Sequence, residues 1–100
     1  MSIQQLQTDE INKLCKLNKV KSLFAFGSIL REDFNKDSDI DLLVDFEEED
    51  PFKYTDLYFS FKNKLEDLFK RQVDLIEERA LKNRFFKQEL ENTKIKIYGS

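Results

Sequence analysis

The apolar positions of this 100-residue chain change spacing several times, and each change marks a boundary between elements. Ile11, Leu14, Cys15 and Leu17 recur at helical spacing behind Thr8-Asp9-Glu10, a capping residue followed by acids in a first turn. Ser2 with Gln5 offers an earlier start, and Asn18 is the expected close. Val20 to Phe26 is mostly apolar and ends at Gly27, which reads as a strand. Ser28 to Glu32 reads as a loop turning into a short helix, and Asn35-Lys36-Asp37-Ser38 is turn chemistry. Ile40 to Phe46 is a second strand. Glu47 to Asp50 is expected to be a solvated loop, and Pro51 cannot donate to a strand ladder. From about Lys53 to Arg71, Tyr54, Leu57, Tyr58, Phe61, Leu65, Leu68 and Phe69 share one arc of a helix. Gln72 to Ile76 is a third strand and Leu81 to Glu91 a further helix. Lys94 to Tyr98 alternates Lys with Ile as a lysine-guarded edge strand would. The order predicts an α/β fold in one domain over residues 1–100: a mixed twisted sheet of about four strands flanked by helices.

One strand breaks the usual rules. Asp is depleted from strands, yet Asp39 and Asp41 open the second one. Two residues apart on an extended chain, they point to the same side, while Ile40, Leu42, Val44 and Phe46 point to the other. Paired carboxylates on a rigid strand suit hard divalent cations, which take oxygen ligands. Gly27 lets a backbone approach a triphosphate closely, and Ser28 offers a hydroxyl and an N–H to phosphate oxygens. Arg31 adds a cation nearby. A third carboxylate is available in Asp74, the acid of Gln72-Val73-Asp74-Leu75-Ile76 that points away from the apolar side. Each of these signals has a plain structural reading alone: a turn for Gly27-Ser28, a cap for Asp39, a Lys-paired strand acid for Asp74. Their combination is the signature of nucleotidyl transfer, in which two cations about 3.5–4 Å apart stabilise the attacking and leaving oxygens. Asp45 shares the carboxylate side but lies further along, as a solvated rim charge.

Composition narrows the classes. A chain this short holds one core, and ten Phe without a Trp must supply much of it. A formal charge of −3 argues against binding nucleic acid by phosphate neutralisation. With no His, imidazole catalysis and most zinc sites are excluded. The sole cysteine, Cys15, cannot form an internal disulfide and reads as an inert, partly buried thiol. No run approaches a membrane span and no signal peptide is visible, so a soluble, cytoplasmic protein is expected.

From about Thr8 to Tyr98, the chain resembles the minimal nucleotidyltransferases of the DNA polymerase beta superfamily. The resemblance is carried by Gly27-Ser28, by Asp39-Ile40-Asp41-Leu42-Leu43-Val44 and by Val73-Asp74-Leu75-Ile76. The nearest group looks like MntA-type antitoxins, encoded beside a HEPN-domain ribonuclease toxin. The resemblance implies a polymerase-beta-like palm, ATP as substrate, Mg²⁺ as cofactor and AMP transfer to a tyrosine hydroxyl of the toxin. By position, it assigns Gly27 and Ser28 to phosphate, Asp39, Asp41 and Asp74 to metal, and Arg31 to the Arg that usually follows the Gly-Ser. Leu30 stands where a small residue is usual and Glu32 where Gly is common. Glu32 brings a negative charge toward a triphosphate.

Two other functions compete: neutralisation of the HEPN partner by binding alone, and nucleotidyl transfer to a small molecule. The complete carboxylate set favours an enzyme, and the lack of a second domain disfavours a small-molecule acceptor. A hetero-oligomer with the toxin fits the first two functions. Phe59 falls opposite the apolar arc of the long helix, among Asn63, Glu66 and Lys70. It is expected to be exposed, as an isolated apolar residue or as an anchor for the toxin or a second copy.

Overall fold

The computed structural model describes residues 3–35 and 37–99. Ser2, the alternative helix start, and Lys36 of the expected turn lie outside the described residues. After a single 3₁₀ turn over Ile3–Leu6 come helix α1 (Asp9–Leu17), strand β1 (Val20–Phe26), a 3₁₀ turn (Gly27–Leu30) and strand β2 (Ile40–Phe46). Helix α2 (Pro51–Phe69), strand β3 (Val73–Glu77), helix α3 (Arg84–Thr93) and strand β4 (Ile95–Gly99) complete the chain, with a 3₁₀ turn over Glu78–Ala80. The sheet order is β3-β2-β1-β4. β1 runs antiparallel to β2 and β4, while β2 and β3 are parallel. A parallel pair needs a long crossover, and α2 supplies it.

The helix ends follow their caps. Thr8 accepts the Ile11 N–H at 3.3 Å, and the Asn18 amide donates to the Leu14 carbonyl at 2.8 Å. α2 begins at Pro51, two residues before the expected Lys53, because Asp50 accepts the Phe52 and Lys53 N–H groups and Pro51 fits the first turn. It stops at Phe69 rather than Arg71, since Lys70 turns left-handed. α3 starts at Arg84, later than Leu81, where Asn83 accepts the Phe86 N–H at 3.0 Å. Nor is the acidic run from Glu47 to Asp50 wholly solvated. Asp50 is a cap, and Glu48 is half-buried, accepts the Glu49 and Asp50 N–H groups and lies 3.8 Å from Lys19.

The two sides of the sheet differ. One carries the main core, where Ile40, Leu42, Val44 and Phe46 of β2 meet Ile11 and Cys15 of α1 and Tyr54, Phe61 and Leu65 of α2. Full burial pushes the Cys15 thiol up to about 12, so it is inert. The other side carries a smaller cluster of Phe26, Leu43 and Leu90, with Phe24, Ile76 and Leu81 against it. This is the side of Asp41 and Asp74, and α3 partly covers it. Phe59 lies on the solvent side of α2, 55% exposed, as its helical phase predicts. Among the described residues, no helix is long and apolar enough to cross a membrane.

Candidate active site

The candidate site forms where β1 ends and where β2 and β3 begin. The antiparallel β1–β2 register sets Phe26 opposite Asp41, so Gly27 emerges beside that carboxylate. The parallel β2–β3 register sets Asp41 directly beside Asp74. Three segments far apart in sequence are therefore brought together by strand pairing alone.

Gly27 has φ +66°, and a Cβ there would lie 2.5 Å from Asp41 Oδ2. Both the left-handed backbone and the close approach require glycine. Ser28 donates its N–H to the same Oδ2 at 3.0 Å and its hydroxyl at 2.9 Å, and the hydroxyl also lies 2.7 Å from the Asp39 carbonyl. The turn thus presents its donors to an anionic oxygen. The expected short helix is only a four-residue 3₁₀ turn, Gly27–Leu30. Local N–H and hydroxyl groups, not a helix dipole, are what it can offer to phosphate.

Gly27, Arg31, Asp41 and Asp74 line one cleft of about 490 Å³, a size typical of small-molecule sites. Ser28 adjoins it through Asp41. Asp39 is exposed just before β2 and is not part of the lining. Glu32 is exposed and also outside the lining; Leu30 forms part of the wall.

Burial raises the Asp74 carboxyl above its ordinary value, the charges of Asp41 and Asp39 raise it further, and Lys62 opposes them. The three carboxylates are therefore within electrostatic reach of one another. Among the described residues, however, no three acidic side chains close around one point as a complete cation site; Asp41 is turned to Ser28 instead. The donor set still fits a hard divalent cation such as Mg²⁺: all carboxylate oxygen, with mutual repulsion that a cation would relieve.

Asp45 lies elsewhere. It is no solvated rim charge but a partner of Arg79 at 2.9 Å, and Arg79 also donates to the Phe46 and Glu48 carbonyls and stacks over Tyr54. This clamp fixes the far end of β2.

Other residues of the site were not read from the sequence. Ile76, Phe86, Glu89, Leu90 and Thr93 complete the cleft wall, the last four from α3. A signal was present: Phe26, Leu43 and Ile76 alternate onto the same side as the carboxylates, so some element had to cover them. Arg71, over the Phe34 ring, donates to the Asn35 and Ser38 carbonyls at 3.1 Å each and so holds the chain entering Asp39.

The comparisons agree with this architecture. The family model "Nucleotidyltransferase domain" matches residues 10–97. A Methanocaldococcus jannaschii protein named "Putative protein adenylyltransferase MJ0128" is 37% identical over 79 residues, covering 79% of this chain and 78% of its own. A solved "putative minimal nucleotidyltransferase" superposes with a TM-score of 0.75 at 29% identity, covering 95% of both chains. The structure of "tri-AMPylated Shewanella oneidensis HEPN toxin in complex with MNT antitoxin" gives a TM-score of 0.66 at 25% identity, over 98% of this chain and 74% of that one. With its mixed sheet, its Gly-Ser turn and a family match over nearly its whole length, the chain belongs to the nucleotidyltransferase domain family, in the minimal nucleotidyltransferase fold.

Proposed function

We propose that this chain transfers AMP from ATP to a tyrosine hydroxyl of a HEPN-domain ribonuclease toxin and thereby neutralises it. The observation that carries the reading is the pairing of Asp41 with Asp74 beside the Gly27–Ser28 turn, in one cleft. The protein adenylyltransferase name of a relative and the AMPylated HEPN toxin in a similar complex support the acceptor class.

Gly27 allows the triphosphate to approach the backbone, and Ser28 donates its N–H and hydroxyl to phosphate oxygens in place of Asp41. Arg31 offsets triphosphate charge from the cleft wall. Asp74 sits at the acceptor end, and its raised carboxyl is suited to take the hydroxyl proton. The acceptor oxygen then bonds to the α-phosphorus, the bond to the bridging oxygen breaks, and pyrophosphate leaves. Two Mg²⁺ ions held by Asp39, Asp41 and Asp74 would supply charge neutralisation at the attacking and leaving oxygens.

The test is incubation with the HEPN partner, ATP and Mg²⁺, read by intact mass. The partner should gain mass in AMP units, and EDTA or the paired Asp39→Asn, Asp41→Asn substitutions should abolish the gain. Toxin neutralised with no mass gain would establish binding alone as the function.

A further inference from the structure

The cleft has two chemically distinct halves. One is the phosphate and carboxylate half already described. The other is apolar and aromatic: Phe26, Ile76, Phe86 and Leu90 line it. Phe86 is 36% exposed, with its ring set edge-on to Phe26 at 6.3 Å between centroids. Phe26 immediately precedes Gly27, so this aromatic wall begins one residue from the phosphate-binding turn. A partly exposed ring braced by a second ring is a stacking platform. At the same wall, one turn along α3, the acidic residue Glu89 also lines this cleft, whose lining already includes two other acids. A further acid beside a triphosphate site would repel the ligand, unless it meets a donor on a part of the ligand away from the phosphates.

We propose that this half is the nucleobase subsite, with Phe86 as the stacking platform and Glu89 as the acceptor for a base amino group. The proposal rests on the nucleotidyltransferase reading above and adds base recognition to it. A carboxylate only accepts hydrogen bonds, so Glu89 favours bases that present an exocyclic amine, such as adenine, over uracil. Phe86 sets affinity for any base, because every base has a π-face.

The experiment is calorimetric titration of the full chain, in Mg²⁺, with ATP, UTP and inorganic triphosphate. Phe86→Ala should weaken ATP binding by about 5- to 150-fold, the range of one lost base stack, and leave inorganic triphosphate binding unchanged. Phe86→Trp should restore ATP affinity. Glu89→Gln should narrow the preference for ATP over UTP, again without changing triphosphate binding. An unchanged ATP affinity in Phe86→Ala, or equal losses for ATP and triphosphate, would overturn the subsite. So would unchanged ATP affinity with a raised KM for the protein acceptor, which would give the wall to the acceptor. Failure of the wild-type chain to bind either ATP or triphosphate would instead strike the underlying reading, and the subsite with it.

Discussion

Ser28 donates its N–H to one oxygen of Asp41 and sets its hydroxyl 2.9 Å from the same oxygen, the single hydroxyl proton being shared between that oxygen and the Asp39 carbonyl 2.7 Å away. The donors that the proposed function gives to phosphate thus face a carboxylate of the same cleft in the free chain. Ser28→Ala keeps the N–H and loses the hydroxyl. It should cost about 1–2 kcal/mol or less in stability and lower ATP affinity by about tenfold, an interaction with a charged group. Denaturant titration and calorimetry measure the two effects separately. Wild-type ATP affinity in this variant would remove the hydroxyl from phosphate binding.

Gly27→Ala tests the close approach. The positive φ alone should cost about 1–2 kcal/mol for an L-residue, and the new Cβ must push Asp41 aside. We expect a melting temperature several degrees lower, together with loss of both AMP transfer and triphosphate binding. A stable variant with normal binding would show that Asp41 can move without consequence.

Asp74→Asn separates charge from structure. The Asp74 carboxyl is raised, so its ionised form is disfavoured in the folded chain. The resulting penalty is absent below the ordinary value of 3.8, grows as pH climbs through the raised value and is complete above it. Without Mg²⁺, Asp74→Asn should therefore melt higher than wild type at pH 7, and the difference should vanish below pH 3.8. Mg²⁺ should stabilise wild type more than the variant. Transfer should fall much further than ATP binding, since Ser28, Asp39 and Asp41 remain. Thermal melts across pH and a parallel transfer assay provide the check; a lower melting temperature at pH 7 would count against repulsion.

Phe59 and Phe61 are two residues apart on α2 and have opposite fates: 55% exposed against fully buried. Phe61→Ala should cost about 3–5 kcal/mol. Phe59→Ser should stay within about 0.5 kcal/mol, as a surface change. If Phe59 is an anchor for the HEPN partner, its replacement should weaken complex formation while the monomer melts as before. A large fall in melting temperature for Phe59→Ser would contradict its place on the solvent side.

What could be read from the chain was whatever depends on local period and on residue pairs close in sequence. Asp39 and Asp41 share a side because strands alternate, and Val20–Phe26 and Ile40–Phe46 appear with the expected bounds. Thr8 and Asn18 close α1 as local capping chemistry dictates. α2 starts two residues before its apolar pattern does, because Pro51, a break for a strand, is a first-turn residue once Asp50 caps the helix. The partner of Asp45 is hidden for a different reason: Arg79 is 34 positions away, and no periodicity reveals such a pair. The aromatic wall escaped for the same reason. Phe86 reaches the carboxylate side only because α3 packs on the sheet, with Leu90 on Phe26 and Leu43 and its own ring edge-on to Phe26.

Asp41 and Asp74 are neighbours in register but not in surroundings. β2 is an inner strand, hydrogen-bonded on both sides, whereas β3 forms the sheet's rim. Amide exchange at a rim strand follows local fraying, while exchange at an inner strand follows global unfolding. The third carboxylate can then be lost to a partial opening that leaves the first two in place. On warming, any nucleotidyl transfer that needs Asp74 would then stop before the core melts, and cooling would restore it with no refolding step.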